Sequence, residues 1–120
     1  MNIHEYFTDS ELACPCCNAL DLHHVFLNKL YTLRLLLNSP LRISSAYRCT
    51  NHNTKVGGSP TSLHKRGEAA DILTDTVETR YDIVKFATQL GFTEIIIHHN
   101  FVHVGWNLYQ PYKLLLETEV

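Results

Sequence analysis

No stretch of this chain is apolar for long enough to cross a bilayer. A helical span needs roughly 20 apolar residues. The longest candidate, around Leu30 to Leu37, is interrupted by Tyr31, Thr32 and Arg34. The segment Met1 to Leu12 lacks a basic cluster followed by an apolar run, so no secretory signal is visible. Synthesis in the cytoplasm without a signal peptide is therefore expected. An excess of charge of one sign is also missing: 10 Lys plus Arg stand against 12 Asp plus Glu, a formal net charge of -2. Such a balance gives no general attraction to nucleic acid or to anionic membrane. There is no internal repeat, low-complexity tract or Gly/Ser linker. A chain of 120 residues then reads as one domain over 1–120, with one core and a monomer as the expected state.

Histidine, by contrast, is abundant, with eight in the chain. It is the commonest metal ligand and titrates near neutral pH. His4, His23, His24 and His52 read as surface or packing residues. The others fall in a different context. His64 and Asp71 lie seven residues apart, just after a loop containing Gly57 and Gly58, and His98 and His103 follow further on. Two imidazoles and one carboxylate suit a catalytic zinc ion, which takes three protein ligands and keeps a fourth position for water. His103 alternates with Val102 and Val104, so its side chain leaves the face those valines use. A buried Asp71 between Ala70 and Ile72 would need a partner, and a metal supplies one. Arg48 and His98 could add a fixed cation and a proton carrier. Singly, each has a plainer reading: Arg48 as a structural ion-pair partner, His103 as a solvent-facing strand residue.

The periodicities predict helices first and short strands later. Thr8 and Glu11 match a capping box opening a short helix that ends near Cys14 and Pro15. Asp21 to Asn38 carries Leu22, Val25, Phe26, Leu30, Leu33 and Leu37 at helical spacing, with Pro40 beyond. Leu41 to Ile43 reads as a strand. Residues 49–62, rich in Asn, Thr, Ser, Gly and Pro, read as loop. Ala69 to Leu73 is a strand. A second capping box at Asp75 and Glu78 opens a helix with Val77, Tyr81, Val84 and Leu90 on its apolar face, and Gly91 just past its end. Glu94 to His98 and Phe101 to Gly105 form a hairpin, and Tyr112 to Leu116 a last strand. This order suggests an α+β fold with a small antiparallel sheet and flanking helices.

The run from Ser45 to Ile72 resembles the zinc D-Ala-D-Ala carboxypeptidase family, in the branch of small cell-wall peptidases and phage or prophage lysis proteins. The matching positions are Ser45, Tyr47, Arg48, Asn53, Val56, Gly57, Gly58, Ser62, His64, Gly67, Ala69, Asp71 and Ile72. The likeness extends from Phe7, Thr8, Glu11, Leu12 and Cys14 to the terminal Phe101-Val102-His103-Val104. It implies a Hedgehog/DD-peptidase-like fold, with Zn2+ held by His64, Asp71 and His103. It implies Arg48 as the group that binds or polarises substrate and His98 as the catalytic histidine. Other branches place a glutamate three residues before the last ligand. Asn100 stands there and cannot serve as a base, which favours the histidine branch. Gly105 departs from the family, which commonly has Asp after the last His-Val.

The implied substrate is a peptidoglycan stem peptide, cut by a D-Ala-D-Ala carboxypeptidase. The alternatives are an endopeptidase of endolysin type, cutting L-Ala–D-Glu or a cross-link, and a non-catalytic zinc-containing binding module. The expected place of action is the bacterial cell wall, reached by release or delivery, as for a phage or prophage product. Cys14, Cys16, Cys17 and Cys49 leave three options open: a second metal, a disulfide, or buried thiols acting as small hydrophobes. Any of them should bring Cys49 near the N-terminal trio. Trp106, Tyr109 and Tyr112 could flank the site or fill the core.

Overall fold

A computed structural model describes residues 6–109 and 112–116. His4 lies outside them. The chain forms α1 (Asp9–Leu12), α2 (His24–Leu37), β1 (Ile43–Ser45), α3 (Thr50–Lys55), a 3-10 turn (Leu63–Arg66), β2 (Ala69–Leu73), α4 (Val77–Gln89), β3 (Glu94–Ile97), β4 (Phe101–Gly105) and β5 (Lys113–Leu116). The strands make one sheet in the order β1-β2-β4-β3-β5. Four strands pair antiparallel, but β5 runs parallel to β3. The expected α+β architecture is present, with a mixed sheet in place of a wholly antiparallel one. The last strand comes after a connection rather than a tight hairpin, and that leaves its direction open to either choice.

One face of the sheet carries the core. Strand periodicity points Ala70 and Ile72 of β2, Val102 and Val104 of β4 and Ile95 of β3 the same way. They pack with Phe26, Leu30 and Leu33 of α2 and with Ile83 and Ala87 of α4. Phe26 meets Phe92 edge to face at 5.9 Å between ring centres. Truncating a fully buried leucine such as Leu30 costs about 2–5 kcal/mol. The Thr8 cap, present as the full capping box with Glu11, contributes only about 1 kcal/mol. Packing, not capping, therefore holds the layers together.

Several boundaries differ from the sequence expectation, each for a local reason. Helix α2 starts at His24 rather than Asp21. The Nδ1 of His23 accepts the Val25 N–H as an N-cap, while the His23 N–H donates to the Gly67 carbonyl. That contact brings the backbone of Asp21 against Gly67, where a Cβ would sit 1.9 Å from the Asp21 oxygen. Strand β1 is shifted to Ile43–Ser45, with Leu41 in the core instead. The segment 49–62 is not all loop. It contains α3, capped by Cys49, whose sulfur accepts from the His52 N–H. Gly57, at φ 77°, lies just beyond its end. Helix α4 is capped by Thr76 with Thr79 at N3, one residue later than the Asp75–Glu78 box. Its buried residues are Ile83 and Ala87, whereas Val77 and Tyr81 are exposed. The small Ala87 lets the helix sit close to the sheet, and that contact selects the face. No helix among the described residues is long and apolar enough to cross a membrane.

Candidate metal centre and active site

The face of the sheet opposite the core carries polar side chains. The antiparallel register sets Asp71 of β2 directly beside His103 of β4, and His103 beside Ile96 of β3. Alternation does the rest: the residues between the core-facing positions of β2 and β4 necessarily point to this side. His64 comes from the 3-10 turn, whose N-cap Ser62 accepts the His64 N–H at 3.2 Å. The turn ends at Gly67 in a left-handed conformation (φ 68°), which a side chain would disfavour. The chain can then double back into β2.

Three atoms converge. The Asp71 Oδ1 lies 3.2 Å from His64 Nε2 and 3.1 Å from His103 Nδ1. Ligand atoms about 2.0–2.1 Å from a tetrahedral ion would lie roughly 3.3 Å apart. The outer nitrogens are already engaged. His64 Nδ1 lies 2.6 Å from the Ala46 carbonyl oxygen, and His103 Nε2 lies 2.5 Å from Glu94 Oε1. A carbonyl only accepts, so His64 carries its proton on Nδ1 and presents the Nε2 lone pair inward. Glu94 does the same for His103, leaving Nδ1 to face Asp71. Such outer partners orient metal-binding imidazoles and raise their basicity. The three residues, all buried, form a group able to hold a metal ion.

Glu94 was read from the sequence only as the start of a strand, not as a site residue. The available signal was one acidic residue opening the strand Glu94-Ile95-Ile96-Ile97. It pairs across the sheet with Gly105. A Cβ at Gly105 would stand 2.9 Å from Leu63 Cδ1 and 3.3 Å from the Glu68 oxygen. This chain therefore has little room for an aspartate at 105, and the carboxylate beside His103 comes from the neighbouring strand.

Arg48 is held from three sides. Its Nε donates to Ser45 Oγ at 3.1 Å, Nη1 to Asn53 Oδ1 at 3.3 Å, and Nη2 reaches Asp71 Oδ2 at 3.5 Å. Asn53, fully buried on α3, is itself fixed by donating to the Ser59 carbonyl. A cation with so few free rotamers is preorganised for an anionic group. His98 directly follows β3, its backbone N–H bonded to the Phe101 carbonyl and its ring stacked on Phe101 at 4.0 Å. His98, Arg48, His64, Asp71 and His103 line one open cleft of about 510 Å³. All five candidate residues thus meet. Tyr109 and Tyr112 are highly exposed, while Trp106 packs at the edge of the core and against His23.

Charge in the site is strongly coupled. Burial would raise the Asp71 carboxyl, but the adjoining His103 and His64 rings, when protonated on both nitrogens in the metal-free site, outweigh it and hold Asp71 well below the carboxylate range. Burial would lower His103, yet the Asp71 and Glu94 carboxylates raise it from 6.5 to about 9. A histidine with a raised folded-state pKa stabilises fully below its unfolded value and loses that contribution as pH rises through the folded one. The His103 contribution to the stability of the metal-free protein should therefore be lost between pH 6.5 and about 9. Thermal melting of chelator-treated wild-type and His103→Gln protein across that window is the check; a difference between the two that does not shrink with rising pH would contradict the His103 environment.

A family model described as Peptidase M15 matches residues 5–105. No curated protein matches the chain.

Proposed function

Since the chain belongs to the Peptidase M15 family, the zinc D-Ala-D-Ala carboxypeptidase type, and is on that ground a metallopeptidase, we propose that it is a zinc-dependent D-Ala-D-Ala carboxypeptidase acting on peptidoglycan stem peptides. In this reading His64, Asp71 and His103 hold the zinc, with Nε2, Oδ1 and Nδ1 as their inward atoms. The donor set suits zinc, because two borderline imidazoles and one carboxylate leave a position open. Zinc, when bound, supplies Lewis acidity and brings the pKa of water toward about 7. His98 takes a proton at the reacting centre and returns it to the leaving amine, its ring oriented by the Phe101 stack. Arg48 clamps the terminal carboxylate of the substrate, with Ser45 and Asn53 as positioning residues. The single observation that carries the proposal is the convergence of Arg48 and His98 on the cleft that holds the three ligands. A binding module of this fold would need neither group.

The free carboxylate is what distinguishes a carboxypeptidase substrate, and a fixed guanidinium is the residue type that recognises it bidentately. A pentapeptide ending in D-Ala-D-Ala should lose its last residue, with free D-Ala appearing in step with enzyme. One observation favours the endopeptidase as a second reading. A second hollow, lined by Pro60, Lys65, Arg66 and Tyr109 among others, shares Thr61, Ser62 and Leu63 with the cleft. A longer strand of peptide could therefore continue past the metal site. Intact pentapeptide together with rapid clearing of a cell-wall suspension would select that reading and reject the carboxypeptidase. New termini found by mass spectrometry would then name the scissile bond. The setting we propose is the bacterial cell wall, reached after release or delivery of a phage- or prophage-type product.

A further inference from the structure

A second side-chain cluster lies away from the cleft. Cys14, Cys16 and Cys17 sit in the loop after α1, and Cys49 caps α3, yet their sulfur atoms all fall within 4.8 Å of one another. Cys14, Cys16 and Cys49 form a near-equilateral triangle with Sγ–Sγ distances of 3.6, 3.6 and 3.3 Å. All four are free thiols.

Three explanations compete. Apolar packing does not fit, because Cys16 and Cys17 are exposed and Cys49 is half-buried. A disulfide would draw two sulfurs to about 2.0 Å and leave the others aside. The triangle favours no pair. A tetrahedral ion with metal–sulfur bonds of about 2.3 Å sets sulfurs roughly 3.8 Å apart, close to the observed spacings. The backbone also has the form such a site needs. Cys14 and the residues after it close on themselves through Asn18 N–H to Cys14 O and Cys14 N–H to Ala19 O, with Asn18 left-handed at φ 61°. Two backbone N–H groups aim at sulfur, Cys49 at Cys14 Sγ (3.5 Å) and His52 at Cys49 Sγ (3.4 Å). N–H donors of this kind stabilise thiolate over thiol.

We propose that Cys14, Cys16, Cys17 and Cys49 form a closed tetrathiolate site for a structural zinc ion, separate from the catalytic one. Binding exchanges the thiol protons for the ion. Four thiolates and Zn2+ leave a net charge of two minus, which the two N–H groups partly offset. Soft thiolates select zinc over magnesium or calcium. The ion would tie the N-terminal segment to the start of α3, adjacent to Arg48. The same region is already joined by the Tyr47 N–H to the Leu12 carbonyl.

The test needs no peptidase activity and so stands or falls apart from the function proposed above. His64→Ala protein, purified anaerobically, isolates the cysteine site. Zinc-edge X-ray absorption should find about one zinc per chain with only sulfur neighbours at ~2.3 Å. Cobalt exchanged into the same variant should show thiolate-to-metal charge-transfer absorption. The double change Cys16→Ser with Cys17→Ser, at exposed positions that leave the core intact, should remove that signal and that ion. A His64→Ala chain that holds no metal after zinc supplementation overturns the proposal. So does zinc with no sulfur neighbours, or an intact mass showing disulfide pairing after anaerobic purification.

Discussion

Replacing His64 with alanine is expected to empty the catalytic site and abolish hydrolysis. In the proposed site His64 supplies one of the three inward ligand atoms, its ring held by the Ala46 carbonyl. Asp71→Ala should do the same and more. It would leave His64, His103 and Arg48 facing one another without the carboxylate that joins them. Zinc content should fall by about one ion per chain in either variant, while the cysteine site keeps its own. Glu94→Gln is the graded comparison, since it preserves shape and removes the charge behind His103. Outer-sphere changes of this kind weaken metal binding by roughly 10–100-fold. Full hydrolysis by a His64→Ala protein would sink the ligand assignment outright.

The second large effect is expected at His98. His98→Ala should retain the catalytic zinc and lose roughly 10²–10⁴-fold in kcat, the usual contribution of a general acid–base group. The substitution removes a ring that faces the cleft from the end of β3 and leaves the three ligands untouched. Metal loss in His98→Ala would instead make His98 a ligand. Arg48→Ala gives the contrast. It should keep the zinc and act mainly on kcat/KM, because a charge-assisted hydrogen bond to substrate is worth about 1.5–3 kcal/mol. Arg48→Lys should not rescue it, since a point ammonium cannot reproduce the fork that meets Ser45, Asn53 and Asp71.

The residue pattern was enough to place the chain in its peptidase family. Ala69–Leu73 and Phe101–Gly105 were both expected as strands, and the structure places both at those bounds. Alternation with Val102 and Val104 put His103 off the core-facing set. The central motif singled out Arg48, His64 and Asp71, the wider resemblance added His98 and His103, and all five line one cleft. Where a residue's structure depends on its immediate neighbours, as at the Thr8 capping box, sequence also sufficed.

What only the tertiary structure decided depends on partners distant along the chain. The role of Glu94 was invisible because it arises from lying across the sheet from Gly105 and within reach of His103, a register no local pattern encodes. Helix α3 was hidden in a polar segment because its cap is a cysteine sulfur. The start of α2 depends on the close approach of Asp21 to Gly67. The apolar face of α4 was read only in part: Val84 and Leu90 pack against the core as expected, but helical spacing allows more than one stripe, and contact with the sheet selected Ile83 and Ala87 over Val77 and Tyr81. The direction of β5 is of the same kind, whereas the meeting of Cys49 with Cys14, Cys16 and Cys17 was expected and is found. Propensity and pattern act over a few residues, whereas register, close approach and side-chain convergence are set by packing elements far apart in sequence.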